Sequence, residues 1–147
     1  MAVDHAAPAI AELLRHKAEG SYLALMAYTA KTAGSERALA RIRSVVRDRL
    51  TIATTAGYGP RFLHSTGQLH KGGPPVGLFV QIVKDDARDN AIPGQGYGFS
   101  TLKQAQALGD LESLRSRELP VLRVSLGRAP DAGWTALADA VEAATAR

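Results

Sequence analysis

Apolar residues recur along this chain in two alternating rhythms: continuous runs, and repeats at three- and four-residue spacing. Ala9 to Lys17 carries Ile10, Leu13 and Leu14 at helical spacing, with Gly20 as a stop. Tyr22 to Tyr28 is a continuous apolar segment and predicts a first buried strand. After the polar break Lys31–Gly34, Ser35 is a good N-cap and Glu36 sits favourably in the first turn of a helix reaching about Leu50. Leu39, Ile42, Val45, Val46 and Leu50 put one face of that helix on a sheet. Thr51–Ala56 predicts a second strand, Ser65–His70 a short helix, and Val76–Val83 a third strand behind the Gly72–Pro75 break. Lys84–Asn90 is charged and loop-like, and Ile92–Gly98 is too rich in Gly and Pro for regular structure. Ser100 caps a helix with Leu102, Ala105 and Leu108. Gly109-Asp110 is expected to interrupt it, with Asp110 capping a further turn that bears Leu111 and Leu114. Val121–Leu126 predicts a fourth strand and Trp134–Ala146 a last helix with Leu137 and Val141 inward. Strands alternating with helices give an α/β fold with a mainly parallel sheet. Residues 1–147 form one domain, with neither internal repeat nor linker.

Composition narrows the function classes. A chain of 147 residues buries about 70% of the surface its unfolded form exposes, enough for a single core. The net charge of +4 makes anionic ligands plausible. Much of the charge falls on one helix (Arg37, Arg41, Arg43, Arg47, Arg49), where a solvated face is expected. The chain holds only one Trp, four Tyr and three Phe. They do not interleave with basic residues as single-strand nucleic-acid binding requires, so no nucleic-acid partner is expected. With no cysteine there is no disulfide, thiolate site or cysteine nucleophile. No apolar run approaches the ~20 residues that span a bilayer, and Met-Ala-Val-Asp-His is not a secretory leader. No membrane partner and a cytoplasmic location are the expectation.

Candidate chemistry concentrates between Gly57 and Val83. Two histidines, a lysine, an arginine and several hydroxyl or amide side chains lie there between glycines and prolines, ahead of a buried strand. An α/β protein builds a site at a strand end from such a loop. A histidine suits acid–base work because its unperturbed pKa, about 6.5, lets it give and take a proton near neutrality. Residues at the start of the short helix face an N-terminus whose N–H groups favour an anion. Each residue also has a structural role to weigh. His64 could be a capping histidine, His70 and Lys71 exposed helix-end residues, and Gly57, Gly59 and Pro60 turn formers. Gly94, Gly96 and Gly98 do not follow a clear strand, which argues against a dinucleotide loop. His64 and His70 lie six apart with no third ligand nearby, so no metal site is expected.

Leu63-His64-Ser65-Thr66-Gly67-Gln68 resembles the catalytic-histidine segment of glucose-6-phosphate isomerases. The longer string from Ala53-Thr54-Thr55 through Gly57-Tyr58-Gly59-Pro60-Arg61-Phe62 to His70-Lys71-Gly72-Gly73-Pro74 is similar to one branch of them. That branch is the C-terminal isomerase part of bifunctional transaldolase/glucose-6-phosphate isomerase proteins. The resemblance continues through Ile92-Pro93-Gly94-Gln95, Tyr97-Gly98-Phe99, Thr101-Leu102-Lys103, Ala105 to Asp110, Val121 to Val124, and Leu126-Gly127. It implies a sugar-isomerase (SIS) type domain: a Rossmann-like three-layer sandwich with a mainly parallel sheet of four to five strands. It further implies interconversion of glucose 6-phosphate and fructose 6-phosphate without cofactor, through a cis-enediol. By the match His64 is the histidine of ring opening. Arg61, Ser65, Thr66, Gln68, His70 and Lys71 are the candidate substrate-binding residues.

The departures from the family are as informative. Its enediol base is a glutamate ahead of the histidine segment, and Thr51 to Leu63 contains no carboxylate. Asp48, the nearest upstream acid, lies among arginines. The phosphate loops of the family's first domain have no counterpart, and Lys103 does not match the position of the family's late lysine. Three expectations follow. The chain is half of an isomerase, completed by a partner isomerase chain or within a longer precursor; or it is a non-catalytic relative that binds a phosphorylated sugar or docks on a transaldolase-like or sugar-processing partner; or it isomerises another sugar phosphate or epimerises one, with His64 and Lys71 as acid and base. A homodimer would bring a second copy's residues to the site, though no acidic residue stands out as the base.

Overall fold

The computed structural model describes residues 1–61 and 64–146; Phe62 and Leu63 of the quoted motif lie outside the described residues. Four parallel strands form the sheet: β1 (Tyr22–Tyr28), β2 (Ala53–Tyr58), β3 (Gly77–Val83) and β4 (Val121–Ser125), in the order β2-β1-β3-β4. Among the described residues five α-helices accompany them: α1 (Ala6–Arg15), α2 (Ala33–Leu50), α3 (Ser65–Gly72), α4 (Phe99–Arg115) and α5 (Pro130–Ala144). The order reverses between β1 and β3, which makes the crevice at the C-terminal ends of these strands the topological switch point.

Strand burial explains why the sheet is parallel and covered on both faces. Every residue of β3 and all but the first of β1 are buried, as continuous apolar strands require when helices lie on each side. Leu23, Leu25, Ala27, Leu78, Val80 and Ile82 face one core with Ile10 and Leu13 of α1, Leu39, Ile42 and Val46 of α2, and Trp134, Leu137 and Val141 of α5. Ala24, Met26, Tyr28, Phe79 and Val83 face a second, smaller core with Ala107 and Leu114 of α4. Helix α3 packs on α4 over the same face. The result is an α/β three-layer sandwich of the Rossmann-like kind, with four strands.

Several element ends differ from the sequence expectation, each for a local reason. Helix α1 begins at Ala6 rather than Ala9, continuing a 3₁₀ turn over Val3–His5. Helix α2 starts a turn's fraction earlier because Thr32, not Ser35, is the N-cap. Thr32 Oγ1 accepts from Ser35 N (3.1 Å) while Ser35 Oγ accepts from Thr32 N (2.9 Å), a capping box built with serine. Thr51 leaves α2 in the left-handed region (φ 55°), which delays β2 to Ala53–Tyr58. Ser100 does not cap α4. The N-cap position is Gly98, and the carboxylate of Asp89 binds Ser100 N (2.7 Å), Thr101 N (3.3 Å) and Thr101 Oγ1 (2.5 Å) instead. A Cβ on Gly98 would collide with that carboxylate. Gly109-Asp110 does not break α4, which runs unbroken to Arg115. Helix α5 begins at Pro130, whose fixed φ suits a first helical turn, and ends at Ala144. Nor is the arginine face of α2 merely solvated: Arg41 pairs with Asp139 and Glu142 (both 2.8 Å), and Arg49 donates to Glu142 O (2.7 Å), tying α2 to α5.

The outer edge of β4 is partly occupied. Ala2 forms a parallel bridge with Ser125, and Ser125 N donates to Met1 O (2.9 Å). The N-terminal residues therefore lie where a fifth strand would begin. No described helix is long and apolar enough to cross a membrane.

Candidate functional site

The chain leaves β2 at the C-terminal edge of the sheet and is held over β1. Gly59 N donates to Ala27 O (2.8 Å), and the Gly59-Pro60 peptide is cis. Glycine is required here because a Cβ would lie 2.6 Å from the Tyr28 ring. His64 then occupies the N-cap position of α3, exposed, without a side-chain capping bond. Arg61, Ser65, Thr66 and Gln68 are likewise exposed. Five of the sequence-predicted site residues thus share the start of α3, beside the sheet's C-terminal edge.

His70 and Lys71 do not share that solvent-facing mouth, and they are not exposed helix-end residues. His70 is 4% exposed, its Nδ1 2.8 Å from the hydroxyl of Tyr22, the residue that opens β1 at the opposite edge of the sheet. Its ring stacks on Tyr22 and meets Phe79 edge-on. Burial lowers its pKa below the usual histidine value; the nearby Asp110 works against that shift and Lys71 adds to it. Lys71 Nζ lies 2.5 Å from Asp110 Oδ1, and the Asp110 side chain is 1% exposed. Tyr28 completes this group: burial, together with the charge of the nearby Asp110, holds its pKa well above the tyrosine range. A small cavity of about 50 Å³ lies beside His70 and Thr66, against Thr55 and Gly57 of β2.

The end of β3 carries a second charged group. Asp86 accepts from Lys84 Nζ (2.7 Å), Ser100 Oγ (2.7 Å) and Lys103 Nζ. Partial burial alone would raise its pKa, but the bonds from the lysines and Ser100 prevail and hold it far below the carboxylate range. Lys103, whose position did not match the family, is thereby assigned to Asp86. A third polar chain runs across the α4 face. Fully buried Gln81 donates to Ala107 O (2.8 Å) and accepts from Arg123 Nη1 (3.0 Å), while Arg123 Nη2 donates to Gln104 Oε1 (3.0 Å).

Chemically, His64 offers an accessible imidazole at a helix N-terminus, where acid–base work on a bound polar molecule is feasible. No described carboxylate contacts it. Of the acids on this side of the sheet, Asp86 and Asp110 are paired with lysines and Asp89 is held by the first turn of α4. Among the described residues no group of three or more His, Asp or Glu is arranged to hold a metal ion. A larger groove of about 590 Å³ lies on the other helical layer, between Thr32, Arg37 and Arg41 of the α2 end and Asp131 and Thr135 of α5; none of the predicted site residues lines it. Two participants had a visible signal that sequence reading passed over. Ala107, Asp110, Leu111 and Leu114 share the three- and four-residue spacing of an inward helix face, and Gln81 is a lone amide in an apolar strand.

The chain is similar in structure to a hypothetical protein from Thermus thermophilus, with a TM-score of 0.73 and 18% sequence identity over 92% of this chain. At that identity the likeness shows the α/β fold alone. The chain spans 38% of the length of that neighbour. No family model and no curated protein matches the chain.

Proposed function

We propose that this chain is an aldose–ketose isomerase domain for a sugar phosphate, of the glucose-6-phosphate isomerase type, and that it works as one half of a site completed by another chain. The observation that carries this is His64. The motif histidine stands exposed at the N-cap of α3, and Ser65, Thr66 and Gln68 stand exposed beside it. In this reading His64 moves the proton of ring opening, and the neighbouring hydroxyls and amide hold sugar oxygens. The need for a partner rests on the carboxylates. An enediol base must be free to take a proton, whereas Asp110 is buried on Lys71 and Asp86 is bound by two lysines. A transaldolase-like or isomerase chain supplies the base in this scheme. No cofactor enters it, and a cytoplasmic setting goes with its substrates.

A second reading is favoured by the same pairing: a non-catalytic relative that binds a sugar phosphate or docks on a partner without turning anything over. A coupled assay of fructose 6-phosphate to glucose 6-phosphate conversion separates the two, with the chain alone, with candidate partner chains, and with His64→Ala. Turnover only with a partner, reduced at least about 100-fold by His64→Ala, is the expected outcome. Turnover by the chain alone would show that the base is already present and overturn the half-site scheme. Turnover unaffected by His64→Ala would remove His64 from the chemistry.

A further inference from the structure

We propose that Arg123 is the anchor of a separate oxyanion-binding site at the β4 edge of the sheet, fitted to a phosphate dianion. This goes beyond the isomerase reading. The strand order puts β4 three strands from β2, after which His64 lies, a separation of about 14 Å at ordinary strand spacing.

Strand register sets Met26, Gln81 and Arg123 in one row across β1, β3 and β4, on the face covered by α4. Arg123 is partly buried, and among the described residues no carboxylate lies within ion-pair distance of it. Its guanidinium is nonetheless fixed in orientation: Nη1 donates to Gln81 Oε1 and Nη2 to Gln104 Oε1, each at 3.0 Å. Both amides are themselves anchored, Gln81 on Ala107 O (2.8 Å) and Gln104 on Lys84 O (3.2 Å). A partly buried cation held by neutral amides keeps its full charge and its remaining N–H donors for something else. That is the preorganised fork that planar, two-point oxyanion recognition uses.

The charges around it select the ligand. The groups acting electrostatically on Arg123 are Arg115, a second cation at the end of α4, and the hydroxyl of Tyr28. Arg115 is exposed and takes part in none of the ion pairs among the described residues. Two guanidiniums without a carboxylate between them repel each other, and an anion carrying two charges relieves both. A phosphate monoester or inorganic phosphate fits that demand better than a single carboxylate. The edge is open where this happens. The N-terminal residues meet β4 through its backbone alone, bridging Ser125 and donating the N-terminal ammonium to Arg123 O (3.1 Å), while Val121 and Arg123 remain partly exposed.

The test is an NMR titration of the whole chain with inorganic phosphate, following the Arg123 Nε–Hε signal and the side-chain amides of Gln81 and Gln104. Sodium chloride of equal ionic strength is the screening control. Saturable shifts with phosphate and none with chloride are expected. Gln104→Glu, nearly isosteric, would place a carboxylate on Arg123 and should weaken phosphate binding at least about tenfold. Arg123→Gln should do the same, and if that variant fails to fold, Gln104→Glu still decides the matter. A parallel titration with fructose 6-phosphate distinguishes the sources. Tighter binding than inorganic phosphate identifies a phosphorylated small molecule, and equal binding identifies the free ion. No saturation at Arg123, equal shifts with chloride, or undiminished binding in both variants would overturn the proposal.

Discussion

Thr51 and Glu118 are the non-glycine residues held at positive φ in the described backbone, and of the two Thr51 carries the β-branched side chain. Thr51 is exposed and holds φ 55° at the end of α2, a conformation in which a β-branched side chain crowds its own carbonyl. Thr51→Gly relieves that crowding and should raise stability by about 1 kcal/mol, read as a higher urea midpoint with unchanged slope. His70 makes the opposite kind of prediction. Burial lowers its folded pKa below the unfolded value near 6.5, so the unfolded chain binds the extra proton first. Its contribution is fully present above pH 6.5 and is lost as pH falls through the window towards its lowered folded pKa. The urea midpoint should therefore fall between pH 7 and pH 5, and the fall should be shallower in His70→Gln. An unchanged slope in that variant would exclude His70 as the group responsible. Little of this was legible in advance. His70 sits between Leu69 and Lys71, and nothing local says that its ring turns inward onto Tyr22 while Leu69 is left exposed.

At the scale of elements, α3 is a short helix tied down by polar contacts. Its attachment includes Lys71 to Asp110 and His70 to Tyr22, where a longer helix would use an apolar stripe. The two halves of the ion pair are not equivalent. Asp110 is almost wholly enclosed, whereas the Lys71 side chain is 22% exposed and can turn to water. Lys71→Met leaves a buried carboxylate uncompensated and should cost about 3 kcal/mol. Asp110→Asn lets the lysine relax outward and should cost less, while Lys71→Met with Asp110→Leu should recover most of the loss. Equal losses for both single variants in thermal unfolding would show that the enclosure of Asp110 does not control the energy. The elements were legible where one signal dominated: β1 is the apolar run Tyr22–Tyr28 to the residue. They were misread where two good signals competed. Thr32 and Ser35 are both capable caps, and the structure uses them together. Gly109 weakens a helix by about 1 kcal/mol, but inward packing of Ala107, Leu111 and Leu114 outweighs it.

For the whole molecule, the sheet divides the interior into two chemically unlike halves. One side is an apolar core under α1, α2 and α5. The other mixes a smaller apolar cluster with Gln81, Arg123, Asp110, Lys71 and His70. Polar groups accumulate on the α3–α4 side, and both candidate sites lie there. That partition was not legible in the sequence, because it depends on which residues of β3 and β4 end up in register. The chain's one tryptophan, Trp134, is 2% exposed and belongs to the apolar half. Tyr22 and Tyr28 belong to the polar half. Tryptophan fluorescence is consequently a reporter of one side of the sheet only. Ligand capture or loosening beneath α3 and α4 would leave it unchanged while altering the tyrosine signal. Two colours of emission from one unlabelled sample would then tell a local opening of the polar layer from the collapse of the whole fold.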